Sequence, residues 1–381
     1  MKVLYITHAT DLFGANRSML QMIRELMVNH KVEPFIVFPR IFDKKARCIK
    51  NVCEELHIPY LEHRMTNFKR HNNASLIEKL YFIIVQSYCV IHLFWLLRQY
   101  SFDLVHSNSS VNDTGAYISL HKNLPHIWHL REFGDQDFNL YSCLGSKYEK
   151  WIYKKAKFFI AISSAIKERF KQVIDENKIN LIYNGVLPLG ENYSSDHNSK
   201  QIRFCIVGRV EENKNQLEAL HAINELRKKN IEGFKLYIIG KEDAIYVSLL
   251  RDYIQQNNLE DYCVLMGVRY DVPDLLKTMD VGLMLSTCEA FGRVTVEYMM
   301  QNLAVIVTNT GANPEIVNNN VDGLVYELGD SHMLAECMRR LIIDRELLIN
   351  LAQNGQHKAL NKFQSSQNSD NVYALYTKVV E

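Results

Sequence analysis

Short apolar runs alternate with amphipathic stretches along the whole chain. The runs at 3–6, 34–38, 104–106, 126–128, 158–162 and 181–183 read as one series of strands; those at 202–207, 235–239, 263–266, 281–285 and 304–307 read as a second. They are continuous rather than alternating, as strands buried on both faces are. Between them apolar residues recur three and four apart. Met19, Met22, Ile23, Leu26 and Met27 mark one helical face, and Leu217, Leu220, Ile223 and Leu226 another. Strand and helix in regular alternation predict an α/β fold with parallel sheets.

The polar, aperiodic stretch 188–200 separates the two series and reads as a linker. It divides the chain into a first domain over 1–187 and a second over 188–364. The last stretch, about 365–381, is placed as a helix that packs back on the first domain. Each half is then an open, doubly wound sheet. Ligands bind such sheets outside the carboxyl ends of the strands, and two of them facing each other would enclose a cleft.

Composition narrows this little. The 381 residues suit two domains, and 47% apolar with 23% charged residues is ordinary for a globular chain. A net charge of +1 gives no reason to expect nucleic acid as a partner. The eight cysteines are scattered with no CxxC pair, which fits reduced thiols in a cytoplasm and neither a disulfide framework nor a zinc site. The first residues lack a cleavage site and read as a strand, not a signal peptide. There is no Gly-x-Gly, no GKS or GKT loop and no HExxH.

One segment raises the question of a membrane. Residues 80–97 are nearly all apolar, broken by Gln86, Ser87 and His92 and flanked by Lys79 and Arg98. The length is marginal for a span, which needs about 20 residues. The pattern predicts an amphipathic helix instead, either in the core or facing a membrane. In the second case the basic run Lys44, Lys45, Arg47 and Lys50 would join it in a peripheral membrane contact; in the first it is a solvated charge cluster.

The chemistry concentrates in the second half. Glu289 and Glu297 are eight positions apart in Glu289-Ala-Phe-Gly-Arg-Val-Thr-Val-Glu297. The first is placed in a loop after a strand, the second in the helix that follows. Amides near Gly292, Arg293 and Val294 would face an anion at the start of that helix, and a carboxylate beside it suits a ribose diol. Upstream, Gly208-Arg209-x4-Lys214 follows another strand and puts two cations where a diphosphate would sit. Solvated surface cations and a glutamate serving only the helix dipole are the plain alternatives. Paired carboxylates also suit glycoside cleavage, but that leaves Arg209 and Lys214 unexplained.

These motifs stand in a recognisable order: Tyr183-Asn184-Gly185-Val186, Gly208-Arg209-x4-Lys214, Gly267, Asp280-Val281, Ser286, Glu289-x-Phe291-Gly292-x4-Glu297 and Gly311-x3-Glu315-Ile-Val. The ordered set resembles the family 4 glycosyltransferases of the GT-B fold, two Rossmann-like domains, over essentially the whole chain. The resemblance implies transfer of a sugar from a UDP- or GDP-linked donor to a glycan or polyprenyl-linked acceptor, with retention and without a metal or cofactor. It implies a cytoplasmic protein, attached to the inner face of the membrane where the acceptor is lipid-linked. Carried over by position, Arg209 and Lys214 hold the diphosphate, Glu289 faces the donor sugar, the amides near Arg293 and Val294 bind phosphate or sugar, Glu297 binds the ribose, and the loop with Arg269 meets the base. In the first domain Gly14 and Arg17 open a helix whose N-terminus would meet an acceptor phosphate, with a plain βα turn as the alternative. His129 stands near the reacting sugar, and Arg131 contacts acceptor or donor phosphate or pairs near Glu132.

The chain departs from the family at Phe13, where a glycine is usual, and at Leu187, usually aspartate. Asn215, Asn302 and Ala312 replace glycines, and Ala304 a proline. Two rival readings accompany the transferase: a nucleotide-sugar 2-epimerase, which needs no acceptor, and a binding protein without turnover.

Overall fold

A computed structural model describes residues 1–41, 47–71, 74–188 and 201–381. Lys44, Lys45 and nearly all of the expected linker lie outside the described residues. The chain divides into two units, Met1–Gly185 with Ser365–Glu381, and Val186–Gln364.

The first unit holds strands β1 (Lys2–Ile6), β2 (Glu33–Pro39), β3 (Tyr60–His63), β4 (Lys69–Arg70), β5 (Leu104–Ser107), β6 (His126–Leu130), β7 (Tyr141–Ser142), β8 (Phe158–Ala161) and β9 (Ile179–Leu181). Its helices are α1 (Gly14–His30), α2 (Ile49–Glu55), α3 (Leu76–Leu97), α4 (Thr114–Lys122), α5 (Asp135–Phe138), α6 (Ser146–Tyr153) and α7 (Ser164–Phe170). Seven strands form a sheet in the order β3-β2-β1-β5-β6-β8-β9, all pairs parallel, while β4 and β7 make a small antiparallel pair.

The second unit holds β10 (Ile202–Val207), α8 (Gln216–Lys228), β11 (Phe234–Ile239), α9 (Ala244–Gln256), β12 (Cys263–Gly267), α10 (Val272–Lys277), β13 (Val281–Met284), α11 (Arg293–Met300), β14 (Ala304–Thr308), α12 (Asn313–Ile316), β15 (Leu324–Tyr326), α13 (Ser331–Ile343) and α14 (Arg345–Lys362). Its sheet runs β12-β11-β10-β13-β14-β15, again parallel. In each sheet the chain starts at a central strand, winds outward, then returns to wind the other way. The reversal lies between β1 and β5 in one sheet and between β10 and β13 in the other, and such switch points open a crevice at the strands' carboxyl ends.

The apolar runs became strands because helices cover both faces. Val3, Tyr5 and Ile36 pack under Met19, Ile23 and Leu26 of α1, while Leu4 and Val37 pack on the other side against Val90 and Leu93 of α3. The last strand expected in the first half, 181–183, forms two residues earlier at Ile179–Leu181. Asp175 caps the short turn before it, and Ile179 pairs with Phe159. The chain then leaves the sheet so that Asn184 and Gly185 can serve other contacts. The final helix, α15 (Ser365–Val380), packs on α1 in the first unit: His30 stacks on Tyr373 at 4.1 Å and reaches Asp370 at 2.7 Å. A Cβ on Gly185 would lie 2.5 Å from the Ser365 Cα, so only glycine lets this helix start where it does.

Candidate active site

In the second unit the loops after β10 and β13 meet at the switch point. Lys214, at the end of a short 3₁₀ turn, places Nζ 3.1 Å from Glu289 Oε2 and 3.3 Å from Ser286 Oγ. Thr287 N donates to Asn213 O at 3.0 Å, which ties the two loops by their backbones. Asn215 then turns the chain with φ 55. Asparagine tolerates the left-handed region. Asn302, also at a usual glycine, has φ 60, so both substitutions keep the geometry that the glycines supply.

Glu289 is held from three sides. Its Oε1 accepts from Gly292 N at 3.2 Å, its Oε2 faces Lys214, and its carbonyl accepts from Ala312 N at 2.8 Å. Gly311 has φ 54 and passes so close to Glu289 that a Cβ would lie 2.7 Å from the Glu289 nitrogen. Thr308 and Thr310 donate to Ser286 O at 3.1 and 2.9 Å, and Asn313 donates to Thr308 Oγ1 at 2.9 Å. The β14–α12 segment thus supports the loop that carries Glu289.

Gly292, with φ 82, starts α11, and Arg293 and Val294 are its first two residues. A helix's first amides have no acceptor within the helix and carry the positive end of its dipole. Glu297 is buried one turn on and pairs with Arg293, Nε to Oε1, at 3.0 Å. The sequence reading missed what fixes α11 in place. The ring of Tyr298 lies against Gly282 of β13, where a Cβ would come 2.7 Å from Cε2 and nearer other ring atoms. Val207 N of β10 donates to Tyr298 Oη at 2.7 Å. One tyrosine thereby fixes the glutamate beside it to the sheet.

The other expected donor residues stand apart from this cluster. Arg209 is largely exposed, 3.8 Å from Glu211, and its carbonyl accepts from Gln216 at 2.8 Å. Arg269 forks onto its neighbour Asp271 at 2.8 and 2.6 Å on an exposed loop; that hydrogen-bonded partner raises the guanidinium's pKa. Asp280, one of the motif residues, sits at the opposite end of its strand. It is buried and takes Arg203 Nε at 3.0 Å and Arg203 N at 2.8 Å, which is a structural role.

In the first unit, Gly14 and Arg17 lie on the exposed start of α1. Asn16, between them, is buried and pins the preceding loop: it takes Thr7 Oγ1 at 2.6 Å and donates to Ala9 O and Asp11 O at 3.0 and 2.8 Å. His129 and Arg131 are buried at the end of β6. Arg131 donates to Asn108 at 2.5 Å, Asn184 at 2.6 Å and His129 Nδ1 at 3.2 Å. Its guanidinium is therefore an internal joint between the ends of three strands. Asn184 of the Tyr-Asn-Gly-Val run is part of it, a partner that sequence spacing does not reveal. Glu132 is likewise internal, accepting from Ser109 Oγ at 2.8 Å and Ser110 N at 2.6 Å.

The guanidinium fixes the protonation of His129. It can only donate, so Nδ1 accepts and the ring hydrogen is on Nε2. His106 Nε2 is also 3.2 Å from that Nδ1, and His106 Nδ1 is 2.6 Å from Tyr376 Oη of α15. Burial, with Arg131 and His106 alongside, holds the His129 pKa well below the usual histidine value. His129 is thus a neutral ring whose buried Nε2 has no hydrogen-bond partner among the described residues. It is a donor in waiting and a poor base.

Two family models divide the chain between them: one described as glycosyltransferase family 4 matches residues 14–188, and one described as glycosyl transferases group 1 matches 191–358. An Escherichia coli UDP-Gal:alpha-D-GlcNAc-diphosphoundecaprenol alpha-1,3-galactosyltransferase is 26% identical over 76% of this chain and 79% of its own length. A Staphylococcus aureus capsular polysaccharide biosynthesis glycosyltransferase, CapM, is 27% identical over 57% of this chain and 60% of its own. Among solved structures, Anabaena HepE in complex with UDP and glucose superposes with a TM-score of 0.82 at 20% identity, over 99% of this chain and all of the other. With its two family models, its doubly wound sheets and these relatives, the chain belongs to the group 1, family 4 type of glycosyltransferases and has their GT-B fold.

Proposed function

We propose that the protein transfers a hexose from a UDP-linked donor to a lipid-linked or glycan acceptor, with retention, during assembly of a polysaccharide or glycolipid in the cytoplasm. The observation that carries this reading is the Lys214–Glu289–Ser286 cluster beside the start of α11, at the switch point of the second unit. The C1–O bond to the diphosphate breaks while the acceptor hydroxyl oxygen bonds to C1, and the hydroxyl proton passes to the departing phosphate. Charge therefore builds on the diphosphate. Lys214 and the first amides of α11 lie where they neutralise it, an electrostatic contribution already in place before the bond breaks. Arg209, exposed on the loop after β10, takes the same diphosphate. Glu289 takes hydroxyls of the sugar. Glu297, steered by Arg293, takes the ribose diol, and the loop with Arg269 meets the base.

In the acceptor unit His129 donates through Nε2 to an oxygen of the reacting sugar, and Arg131 holds the ring's orientation. Gly14 and Arg17 meet the acceptor. No metal or cofactor has a role in this reading. Support comes from the relatives: the galactosyltransferase is named for UDP-Gal and a diphosphoundecaprenol acceptor, and HepE is in complex with UDP and glucose.

The test is turnover of UDP-hexoses by wild type, Lys214→Ala and Glu297→Ala. Lys214→Ala lowers kcat by about 10²–10³-fold, and Glu297→Ala raises the KM for donor. Undiminished activity in both variants defeats the site assignment. A thermal-shift screen of UDP-, GDP-, ADP- and CMP-sugars identifies the nucleotide, because a ligand at 100 times its Kd adds about 2.7 kcal/mol of stability.

A further inference from the structure

Helix α3 is apolar on both sides, and only one side is covered. Phe82, Cys89 and Leu93 are buried against the first unit, and the buried Gln86 donates to Asp113 at 2.6 Å. The opposite face carries Leu80, Ile84, Tyr88, Ile91 and Trp95, three and four apart, with Ile84 61% and Ile91 63% exposed. At 22 residues the helix is long and apolar enough to cross a bilayer by composition. With its inner face fixed to the sheet, it can only lie along a surface.

The rim of this face carries cations that contact aromatic side chains. Arg64 Nη2 is 3.4 Å from Tyr81 Oη, the Arg98 guanidinium is 4.7 Å from the Trp95 ring centre, and Lys155 Nζ is 5.1 Å from that of Trp151. Trp151 contacts Tyr117 and Tyr148, which together with Ile83 and Ile91 line an apolar recess of about 200 Å³. The carboxylate in the first turn, Glu78, is engaged in the cap by Ser75 N at 2.7 Å.

We infer that this face seats on the anionic surface of a lipid bilayer, with α3 in the plane of the headgroups and the recess open to hydrocarbon. An apolar stripe bordered by aromatic rings and cations matches the polarity gradient of a membrane interface. A second copy of the chain suits it less, since pairing the same face would set Arg64, Arg98 and Lys155 against their own equivalents. The inference deepens the proposed function in one respect: it brings the acceptor unit to the surface where a lipid-linked acceptor resides.

The test is flotation of the full-length protein with vesicles of phosphatidylcholine alone, and of phosphatidylcholine with phosphatidylglycerol, at low and high salt. Wild type is compared with Ile84→Glu/Ile91→Glu and Arg98→Glu/Lys155→Glu; all four positions are exposed, and each variant's melting curve and UDP affinity are checked against wild type. Wild type floats with the anionic vesicles. The first variant loses about tenfold or more of that binding, and the second loses binding together with its salt dependence. Wild type that stays down with both vesicles, equal flotation with neutral ones, or variants that float like wild type overturns the inference. So does a wild-type dimer that Ile84→Glu/Ile91→Glu converts to monomer, which would give the face to a second copy. UDP binding is read separately: if none of the three proteins binds UDP, the donor assignment falls and the flotation result stands.

Discussion

Gly311→Ala tests whether the placement of Glu289 governs turnover. The new Cβ would lie 2.7 Å from the Glu289 nitrogen, where ordinary contact begins at 3.4 Å, and nearer still to its carbonyl oxygen. Both of those atoms are backbone, so no flexible side chain can give way. The Glu289 loop must retreat by about 1 Å, and a displacement of that size at a reacting centre costs on the order of 10²-fold in rate. The same alanine holds φ 54, a left-handed strain of about 1–2 kcal/mol that lowers the melting temperature of a unit this size by roughly 2–4 °C per kcal/mol. Gly329→Ala separates the two effects. It has φ 88 in the same unit, with nothing within 4 Å of its Cβ, so it carries the strain without the displacement. The measurements are melting curves and donor turnover at saturating UDP-hexose. Both variants melt a few degrees lower, and only Gly311→Ala loses about 10²-fold in kcat. Equal kcat in the two variants would refute the claim that the β14–α12 segment positions Glu289.

Two further predictions concern stability. Tyr298→Phe strips the acceptor from Val207 N and leaves a β10 amide unsatisfied, at a cost of about 1–3 kcal/mol; urea denaturation of the variant checks this, and a loss under about 0.3 kcal/mol contradicts it. Acidification destabilises the fold through its buried neutral histidines. Burial lowers His126 to about 3 and holds His106 and His129 well below the usual value, so the unfolded chain takes up protons first as pH falls below about 6.5. His126 alone removes about 2 kcal/mol between pH 6.5 and 5. Asp113 and Asp137, which burial raises to about 7 and about 6, and Glu218, also raised by burial, work in the opposite direction over the same window, but His63, lowered to about 4, and His8 add to the other three histidines, and the five outweigh the three carboxyls. Melting temperature therefore falls from pH 7 to 5; a rise would show that the buried carboxyls dominate.

The sheets were legible because parallel strands buried on both faces need largely apolar runs, and the short runs at 202–207 and 304–307, set between helical patterns, meet that demand. Strands of three and four residues, such as Tyr60–His63 and Leu324–Tyr326, escaped detection. Their pairing partners, not their own composition, make them strands. Glu289, Lys214 and Gly292 stood out as charged or glycine residues at strand ends. What holds them did not, since Tyr298 on Gly282, Gly311 against Glu289 and Asn184 on Arg131 are contacts between residues 16, 22 and 53 positions apart. The burial of Arg131 also follows from partners on other strands: spacing gave its place at the end of β6 and said nothing of Asn108 or Asn184.

The ownership of α15 has a consequence for how the protein is made. Val372, Leu375, Tyr376 and Val379 complete the core that Val3, Tyr5, Met19 and Ile23 begin, so Tyr5 waits for a partner, Tyr376, made 371 positions later. The second unit, contiguous in the chain, emerges whole and can fold while the first is still missing one helix. Until α15 has been synthesised, His106 lacks Tyr376, and the hydrogen-bonded pair that orients His129 is incomplete. Completion of the first unit therefore trails that of the second. A chain truncated before α15 would carry a folded second unit and a first unit that never closes its core.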